Sequence, residues 1–150
     1  MRLVIQRVSE ASVKVDGQLV SSIGKGLMIL VGVEEGDTEE DASWLASKTA
    51  GMRIFDDEGG VMNLSVMDIG GELLAVSQFT LTASTRKGNR PSYIRAAGHG
   101  LAIPMYEKYC ELLSLKTGRP VLKGVFGADM KVSLLNDGPV TIIIDSKLKE

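Results

Sequence analysis

Leu27-Met28-Ile29-Leu30-Val31-Gly32-Val33 is an apolar run that decides the fold class. The run is far too short to cross a bilayer, which needs about 20 apolar residues. A continuous apolar segment of this length is typical of a β-strand that is covered on both faces. The sequence therefore predicts a sheet with other structure packed against each of its sides.

The segments around this run give the other strands. Asp16-Gly17 is a hairpin signal between the alternating residues 11–15 and residues 18–20. Ahead of it, Leu3, Ile5 and Val8 indicate a strand whose register breaks near Arg7. Further strands are predicted at residues 72–81, 121–123, 130–135 and 140–144.

Two segments have the pattern of helices. Asp37 is predicted to cap the first helix, with Glu40 reaching back to complete a capping box. The second helix is predicted from Ile103 to Leu115, with Pro104 in its first turn. Because strands and helices alternate without a linker or a repeat, we predict one domain over residues 1–150. Its fold class is mixed α/β, with layered sheets and two main helices.

The composition excludes several kinds of site. The 150 residues include one cysteine, Cys110, and one histidine, His99. A disulfide framework, a Cys-rich zinc site and an HExxH site each need more of these residues, so we expect no metal and no cofactor. The N-terminus carries charge too early for a secretory signal. We therefore expect a cytoplasmic protein that is not attached to a membrane.

Charge is distributed unevenly along the chain, although the formal net charge is only −2. Residues 34–72 contain eleven acidic and two basic side chains, whereas residues 73–150 contain eleven basic and six acidic ones. A basic half of this kind permits binding of one end of a polyanion. The predicted loop 82–100 is long enough to suggest a function and contains Arg86, Lys87, Arg90 and Arg95.

Two short motifs could carry chemistry. The first is Ser77-Gln78-Phe79-Thr80, at the end of a predicted strand. Its hydroxyls, amide and free backbone N–H groups could hold a developing oxyanion, or could simply bond to neighbouring backbone. The second is Asn136-Asp137-Gly138-Pro139-Val140-Thr141, whose composition by itself predicts a hairpin turn between two strands.

Together, these two motifs resemble the signature motifs of D-aminoacyl-tRNA deacylases. The opening residues 1–8 (MRLVIQRV) also resemble the N-terminus of that family, and the similarity extends over essentially the full chain. The resemblance implies a homodimeric hydrolase with its active sites at the subunit interface. Such an enzyme cleaves the ester between a D-amino acid and the 3′ end of tRNA, which is a form of proofreading.

The resemblance also assigns roles to individual residues. It implies a cis bond between Gly138 and Pro139, which reaches into the partner's active site and leaves no room for an L side chain. Such a filter reads only the α-carbon, so glycyl-tRNA is also an expected substrate. Arg7 is expected to brace the motif, and Ala102, Phe126 and Met130 to line the adenosine and aminoacyl pocket. The catalytic candidates are Ser77, Gln78, Phe79 and Thr80. The charge of the predicted loop, rather than the resemblance, makes Arg86, Lys87 and Arg90 the tRNA-binding candidates, and the alternative is that they belong to a solvated loop.

The mechanism and two rival functions stay open at this point. Thr80 could be the nucleophile, but no histidine or carboxylate lies near it in sequence to activate it. Alternatively, water attacks with help from the 2′-hydroxyl of the terminal adenosine, while the backbone N–H groups of Phe79 and Thr80, together with the Gln78 amide, hold the oxyanion. The rival functions are a non-catalytic dimeric RNA-binding or proofreading-accessory domain of the same fold, and a general small-ester hydrolase.

Overall fold

The strands form one curled sheet and a separate small hairpin. A computed structural model describes residues 1–149. The elements in chain order are β1 (Arg2–Val15), β2 (Gln18–Ile23), β3 (Gly26–Gly32), α1 (Glu39–Gly51), β4 (Phe55–Asp56), β5 (Met62–Leu64), β6 (Glu72–Ser77), a short 3₁₀ helix (Phe79–Thr82), α2 (His99–Thr117), β7 (Val121–Lys123) and β8 (Met130–Asp145).

The larger sheet has the strand order β2-β1-β3-β6-β7. Strand β8 lies off this order and pairs with β1 from Arg2 to Val15. The pairs β3–β6 and β6–β7 are parallel, while β1 is antiparallel to each of its neighbours. Although β2 and β7 lie at opposite ends of this order, the Ser21 hydroxyl of β2 donates to the Lys123 carbonyl of β7 at 2.6 Å. The sheet is therefore curled into a near-barrel.

The central strand β3 is buried on both faces, as its apolar run predicts. Ile29 belongs to the core that packs against α1 and α2, and its neighbour Met28 belongs to a second core inside the curl of the sheet. Alternate side chains of a strand point to opposite faces, so both faces of β3 are covered. The mixed α/β class and the two main helices are confirmed. The strand expected over 72–81 is shorter, because it ends at Ser77 and gives way to the 3₁₀ helix.

The predicted cap of α1 is wrong by one residue. Thr38, not Asp37, occupies the N-cap, and Asp41 completes the capping box in place of Glu40. The Asp41 carboxylate accepts a hydrogen bond from the Thr38 backbone N–H at 2.8 Å. Asp37 is instead engaged by a group that is remote in sequence, the α-ammonium of Met1, which lies 2.6 Å from its carboxylate.

Asp41 also has a strongly shifted titration. Burial raises the pKa of this carboxyl, but hydrogen bonds from Ser146, Thr38 and Lys147 outweigh burial and hold the pKa well below its usual value. The Lys147 ammonium lies 2.9 Å from the Asp41 carboxylate. Asp41 therefore ties the start of α1 to the segment that follows β8.

The second helix starts earlier than predicted. It begins at His99 rather than Ile103, and it ends at Thr117. Gly98 is the N-cap, and its carbonyl accepts hydrogen bonds from the N–H groups of Leu101 and Ala102 at 3.0 and 2.8 Å. Pro104 consequently lies inside the helix, beyond the first turn. The loop that precedes the helix is shorter than the predicted 82–100.

The predicted hairpin at residues 136–141 is also wrong. This segment lies within β8, which pairs with β1 on both sides of it, with Asn136 opposite Val8 and Thr141 opposite Gln6. Residues 137–140 therefore bulge out of the ladder at the one position occupied by Arg7. The Gly138–Pro139 peptide bond is cis.

Candidate functional site

A cavity of about 660 Å³ opens at the carboxyl ends of β3 and β6. Val31 and Val76 supply an apolar wall from these strands, and Val33, directly after β3, extends it. The start of α2 and the segment that joins β7 to β8 complete the cavity. Carboxyl ends of adjacent parallel strands meet at one edge of a sheet, and this edge is a common place for a binding site.

The turn after β6 presents polar groups to this cavity. Ser77, Gln78 and Phe79 line it. The Gln78 backbone N–H donates to the Val31 carbonyl at 2.8 Å, which fixes the turn to β3. Phe79 and Thr80 are the first residues of the 3₁₀ helix, so their backbone N–H groups have no acceptor inside that helix. Free N–H groups in such an array can bind an oxyanion.

The side chains of this turn contact each other. The Gln78 Nε2 donates to the Thr80 Oγ1 at 2.5 Å. The Thr82 hydroxyl donates to the Phe79 carbonyl at 2.8 Å. Within residues 1–149, Gln78 is the side-chain partner of the Thr80 hydroxyl, and no carboxylate or imidazole accepts its proton. Thr80 therefore lacks an activating base among these residues.

Three residues assigned to the pocket by resemblance lie at this same cavity. Ala102, Phe126 and Met130 all line it. The Phe126 ring stands nearly perpendicular to the His99 ring, with 5.6 Å between centroids, and is tilted against Tyr106 at 5.9 Å. These contacts fix the Phe126 ring, which forms a flat apolar part of the cavity wall.

Sequence reasoning missed several lining residues. His99 stands exposed at the start of α2 and lines the cavity. Ala96 and Ala97, just before α2, also line the cavity. The apolar run of β3 was a signal for core burial only, since nothing in it indicates that its last residues face a cavity.

A second group of predicted residues lies around Arg7. The Arg7 guanidinium is buried, with 7% of the residue exposed. Its Nε donates to the Asp137 carbonyl at 3.0 Å, and its Nη1 donates to the Ile54 carbonyl at 2.8 Å. The carboxylates of Asp56 and Asp137 lie farther from it, at 3.6 and 3.7 Å. Arg7 therefore holds the backbone at the start of the bulge.

The bulge and the cavity do not meet within one chain. Gly138 and Pro139 are exposed, and neither they nor Arg7 line the cavity. The bulge protrudes from β8, whose ladder within residues 1–149 is formed with β1 alone. The exposed bulge is thus available to another molecule.

The predicted phosphate-binding residues lie on a closed, exposed arm. Ser84 and Ser92 exchange backbone hydrogen bonds of 2.9 and 2.8 Å, which close the segment 85–91 at its base. Arg86, Lys87 and Arg90 are exposed on this arm. None of the three forms an ion pair with a carboxylate in the part of the chain that the structure describes.

Comparison with known proteins identifies the family. A family model described as D-Tyr-tRNA(Tyr) deacylase matches residues 4–145. The chain belongs to this deacylase family. The resemblance expected from the two motifs is thereby confirmed.

Individual relatives agree with this assignment. The chain is 64% identical to the D-aminoacyl-tRNA deacylase of Parabacteroides distasonis and 61% identical to that of Bacteroides thetaiotaomicron, with each comparison covering 100% of both chains. These relatives are hydrolases by name, so the predicted enzyme class is confirmed.

Solved structures give the same fold. A structure described as a c-Myc DNA unwinding element binding protein is 42% identical, with a TM-score of 0.91 over 97% of this chain and 98% of that one. A structure described as a probable eukaryotic D-amino acid tRNA deacylase is 16% identical, with a TM-score of 0.81 over 95% and 97% of the two chains. At this low identity, the second comparison concerns the fold alone.

The Cys110 thiol of this deacylase is buried in α2 and is poorly suited to act as a nucleophile. Burial raises the pKa of the Cys110 thiol to about 12, so the thiolate is scarce at neutral pH. Residues 1–149 contain no cluster of three or more His, Cys, Asp or Glu side chains that could hold a metal ion. Over the same residues, no helix is long and apolar enough to cross a membrane.

Proposed function

We propose that the protein hydrolyses the ester between a D-amino acid and the 3′ end of tRNA, releasing the free amino acid and tRNA. One observation supports this most directly: Phe79 and Thr80 begin a 3₁₀ helix, so their backbone N–H groups have no acceptor inside that helix, and Phe79 lines a largely apolar cavity. The cavity, of about 660 Å³, is large enough for an adenosine with an attached amino acid.

Water is the nucleophile in this proposal. Among residues 1–149, no carboxylate or imidazole accepts the proton of the Thr80 hydroxyl, so Thr80 has no base to activate it as a nucleophile. The N–H groups of Phe79 and Thr80 hold the oxyanion that forms when water attacks the ester carbonyl. The vicinal 2′-hydroxyl of the substrate assists proton transfer. An aminoacyl ester is already reactive, so positioning and oxyanion stabilisation are sufficient.

Selection against L-amino acids is assigned to the Gly138–Pro139 bulge of a second subunit. The bulge is exposed, and Arg7 fixes the backbone that precedes it. In a homodimer, each bulge enters the partner's cavity, where a rigid backbone blocks an L side chain whatever its chemistry. Glycine has no side chain to block, so glycyl-tRNA is a substrate as well.

A homodimer also accounts for the exposed edge of the sheet. β8 is a long strand that pairs on one side within residues 1–149, and its apolar residues Leu135 and Ile143 are exposed. Long exposed edges with apolar side chains are normally covered, because they otherwise promote aggregation. A second copy that covers β8 brings the two bulges and the two cavities together.

The decisive experiment follows the ester bond of D-tyrosyl-tRNA at neutral pH. The proposal predicts multiple turnovers without added metal or cofactor. Binding of the tRNA without ester loss would instead show a non-catalytic RNA-binding domain. Cleavage of simple aryl esters with no cleavage of D-tyrosyl-tRNA would show a general small-ester hydrolase.

A further inference from the structure

An exposed apolar surface lies next to the cavity. Phe79, Tyr93 and Ile94 are 55%, 40% and 86% exposed, which is unusual for large apolar side chains. The rings of Phe79 and Tyr93 contact each other at 5.1 Å between centroids, with 69° between their planes. We call these three residues the stacking surface.

The stacking surface is continuous with the cavity and is held by backbone hydrogen bonds. Phe79 belongs to both, since it also lines the cavity. The Tyr93 carbonyl accepts a hydrogen bond from the Ala96 N–H at 2.9 Å, and Ala96 lines the cavity too. A molecule that leaves the cavity on this side passes over the rings of the stacking surface.

The basic arm, residues 85–91, lies just before Tyr93 in the chain. The Ser84–Ser92 bridge closes the arm one residue before Tyr93, so the arm and the surface share a base. The side chains of Arg86, Lys87 and Arg90 are exposed and are not engaged by carboxylates among the described residues. Exposed aromatic rings beside unpaired cationic groups are the combination that binds single-stranded nucleic acid, because bases stack on the rings while phosphates meet the charges.

We propose that the stacking surface binds the unpaired nucleotides that precede the terminal adenosine of tRNA. This inference rests on the proposed function, which places that adenosine in the cavity. The occupant is then a short single strand of RNA that runs from the cavity over Phe79 and Tyr93 toward the arm. The surface recognises bases by stacking, which tolerates any sequence because every base has a π-face.

The test compares two substrates with the same ester. D-tyrosyl-tRNA carries the upstream nucleotides, and D-tyrosyl-adenosine lacks them. The variants are Tyr93→Ala combined with Ile94→Ser, Ile94→Ser alone, and Tyr93→Phe, which keeps the ring. Leu115→Ser is the matched control, because Leu115 is 71% exposed near the far end of α2.

The double variant is expected to raise KM for D-tyrosyl-tRNA by roughly five- to hundredfold, which is the range measured for loss of base stacking. Its kcat on this substrate and its kinetics on D-tyrosyl-adenosine are expected to remain those of the parent, and Ile94→Ser alone is expected to show a smaller rise. Tyr93→Phe and Leu115→Ser are expected to match the parent on both substrates. An equal loss on both substrates, or no change on either, would overturn the inference.

Binding of uncharged tRNA separates this inference from the proposed function. The double variant is expected to weaken binding of intact tRNA but not of tRNA trimmed of its unpaired 3′ nucleotides. If the parent protein cleaves no D-ester, the proposed function fails, but tRNA binding still tests the stacking surface. An unchanged Kd of the double variant for intact tRNA would overturn the stacking surface. A change in the oligomeric mass of the double variant would show instead that this surface contacts a second copy.

Discussion

Replacing Arg7 by methionine tests whether the support of the Gly138–Pro139 bulge determines the selectivity of the site in addition to the stability of the fold. The Arg7 guanidinium donates one hydrogen bond to the Asp137 carbonyl and one to the Ile54 carbonyl. Methionine keeps much of the apolar stem but makes neither bond. The variant therefore removes the support of the bulge without altering the bulge, the cavity or the turn after β6.

The magnitude follows from these two contacts. A hydrogen bond to a charged group contributes about 1.5–3 kcal/mol, and the Asp137 carbonyl regains some solvation when the guanidinium is removed. The carboxylates of Asp56 and Asp137 are about half exposed, so their ion pairs add little. We expect the free energy of unfolding to fall by about 3 kcal/mol, which a typical domain survives. If half of this free energy positions the bulge, discrimination falls about tenfold, since 1.4 kcal/mol is a factor of ten.

The assay measures kcat/KM for D-tyrosyl-tRNA and for L-tyrosyl-tRNA, together with unfolding in urea. The matched control is Leu45→Ala on α1, because Leu45 is fully buried and its truncation costs a comparable 2–5 kcal/mol. Arg7→Met is expected to lower the ratio of the D rate to the L rate, whereas Leu45→Ala is expected to leave that ratio unchanged. A ratio that stays at the parent value in Arg7→Met, despite the loss of stability, would refute the bracing role.

Three further predictions concern other parts of the molecule. Thr80→Ala is expected to lower turnover of the D-ester by less than about tenfold, whereas a loss of roughly a thousandfold with intact binding would show that Thr80 is the nucleophile. Asp41→Asn is expected to lower the free energy of unfolding by about 1–2 kcal/mol at pH 7, because a neutral amide oxygen accepts the Thr38 N–H bond more weakly and carries no charge to pair with the Lys147 ammonium. The pKa of Asp41 is lowered in the folded state, so its contribution is complete above the unfolded pKa of about 3.9 and is lost as pH falls below that value. Urea unfolding should therefore show that the difference in free energy of unfolding between Asp41→Asn and the parent becomes smaller below pH 4. A difference that grows below pH 4 would contradict a lowered pKa at Asp41. Arg90→Gln is expected to reduce the slope of log Kd for tRNA against log salt by about 0.7, and an unchanged slope would exclude a phosphate contact at Arg90.

Local patterns predicted those elements whose cause is local. The apolar run of β3 requires burial on both faces, and the structure provides it. Two errors came from partners that are distant in sequence. Asp37 has the chemistry of an N-cap, but the Met1 ammonium engages it, and Thr38 takes the position. Residues 136–141 have the composition of a turn, but a bulge within a single strand has the same composition. Only the pairing of β8 with β1 on both sides of the segment distinguishes the two.

The candidate site was predictable in parts but not as an arrangement. Ser77-Gln78-Phe79-Thr80 could be identified as polar groups at a strand end. Their meeting with Phe126 and Met130 depends on β6 lying beside β3 and on the path from β7 to β8, which no short motif encodes. The separation of Gly138 from the cavity within one chain is likewise a property of the topology.

The proposed hydrolysis and its selectivity are tested most directly by the rates of ester loss from D-tyrosyl-tRNA and from L-tyrosyl-tRNA, measured in parallel reactions with the same preparation. We expect rapid loss of the D-ester and a rate on the L-ester that is indistinguishable from spontaneous hydrolysis, because in the proposed reaction the bulge blocks the L side chain while the N–H groups of Phe79 and Thr80 stabilise the oxyanion formed from the D-ester. Equal rates on the two esters, or no enzymatic loss of either, would contradict the proposal.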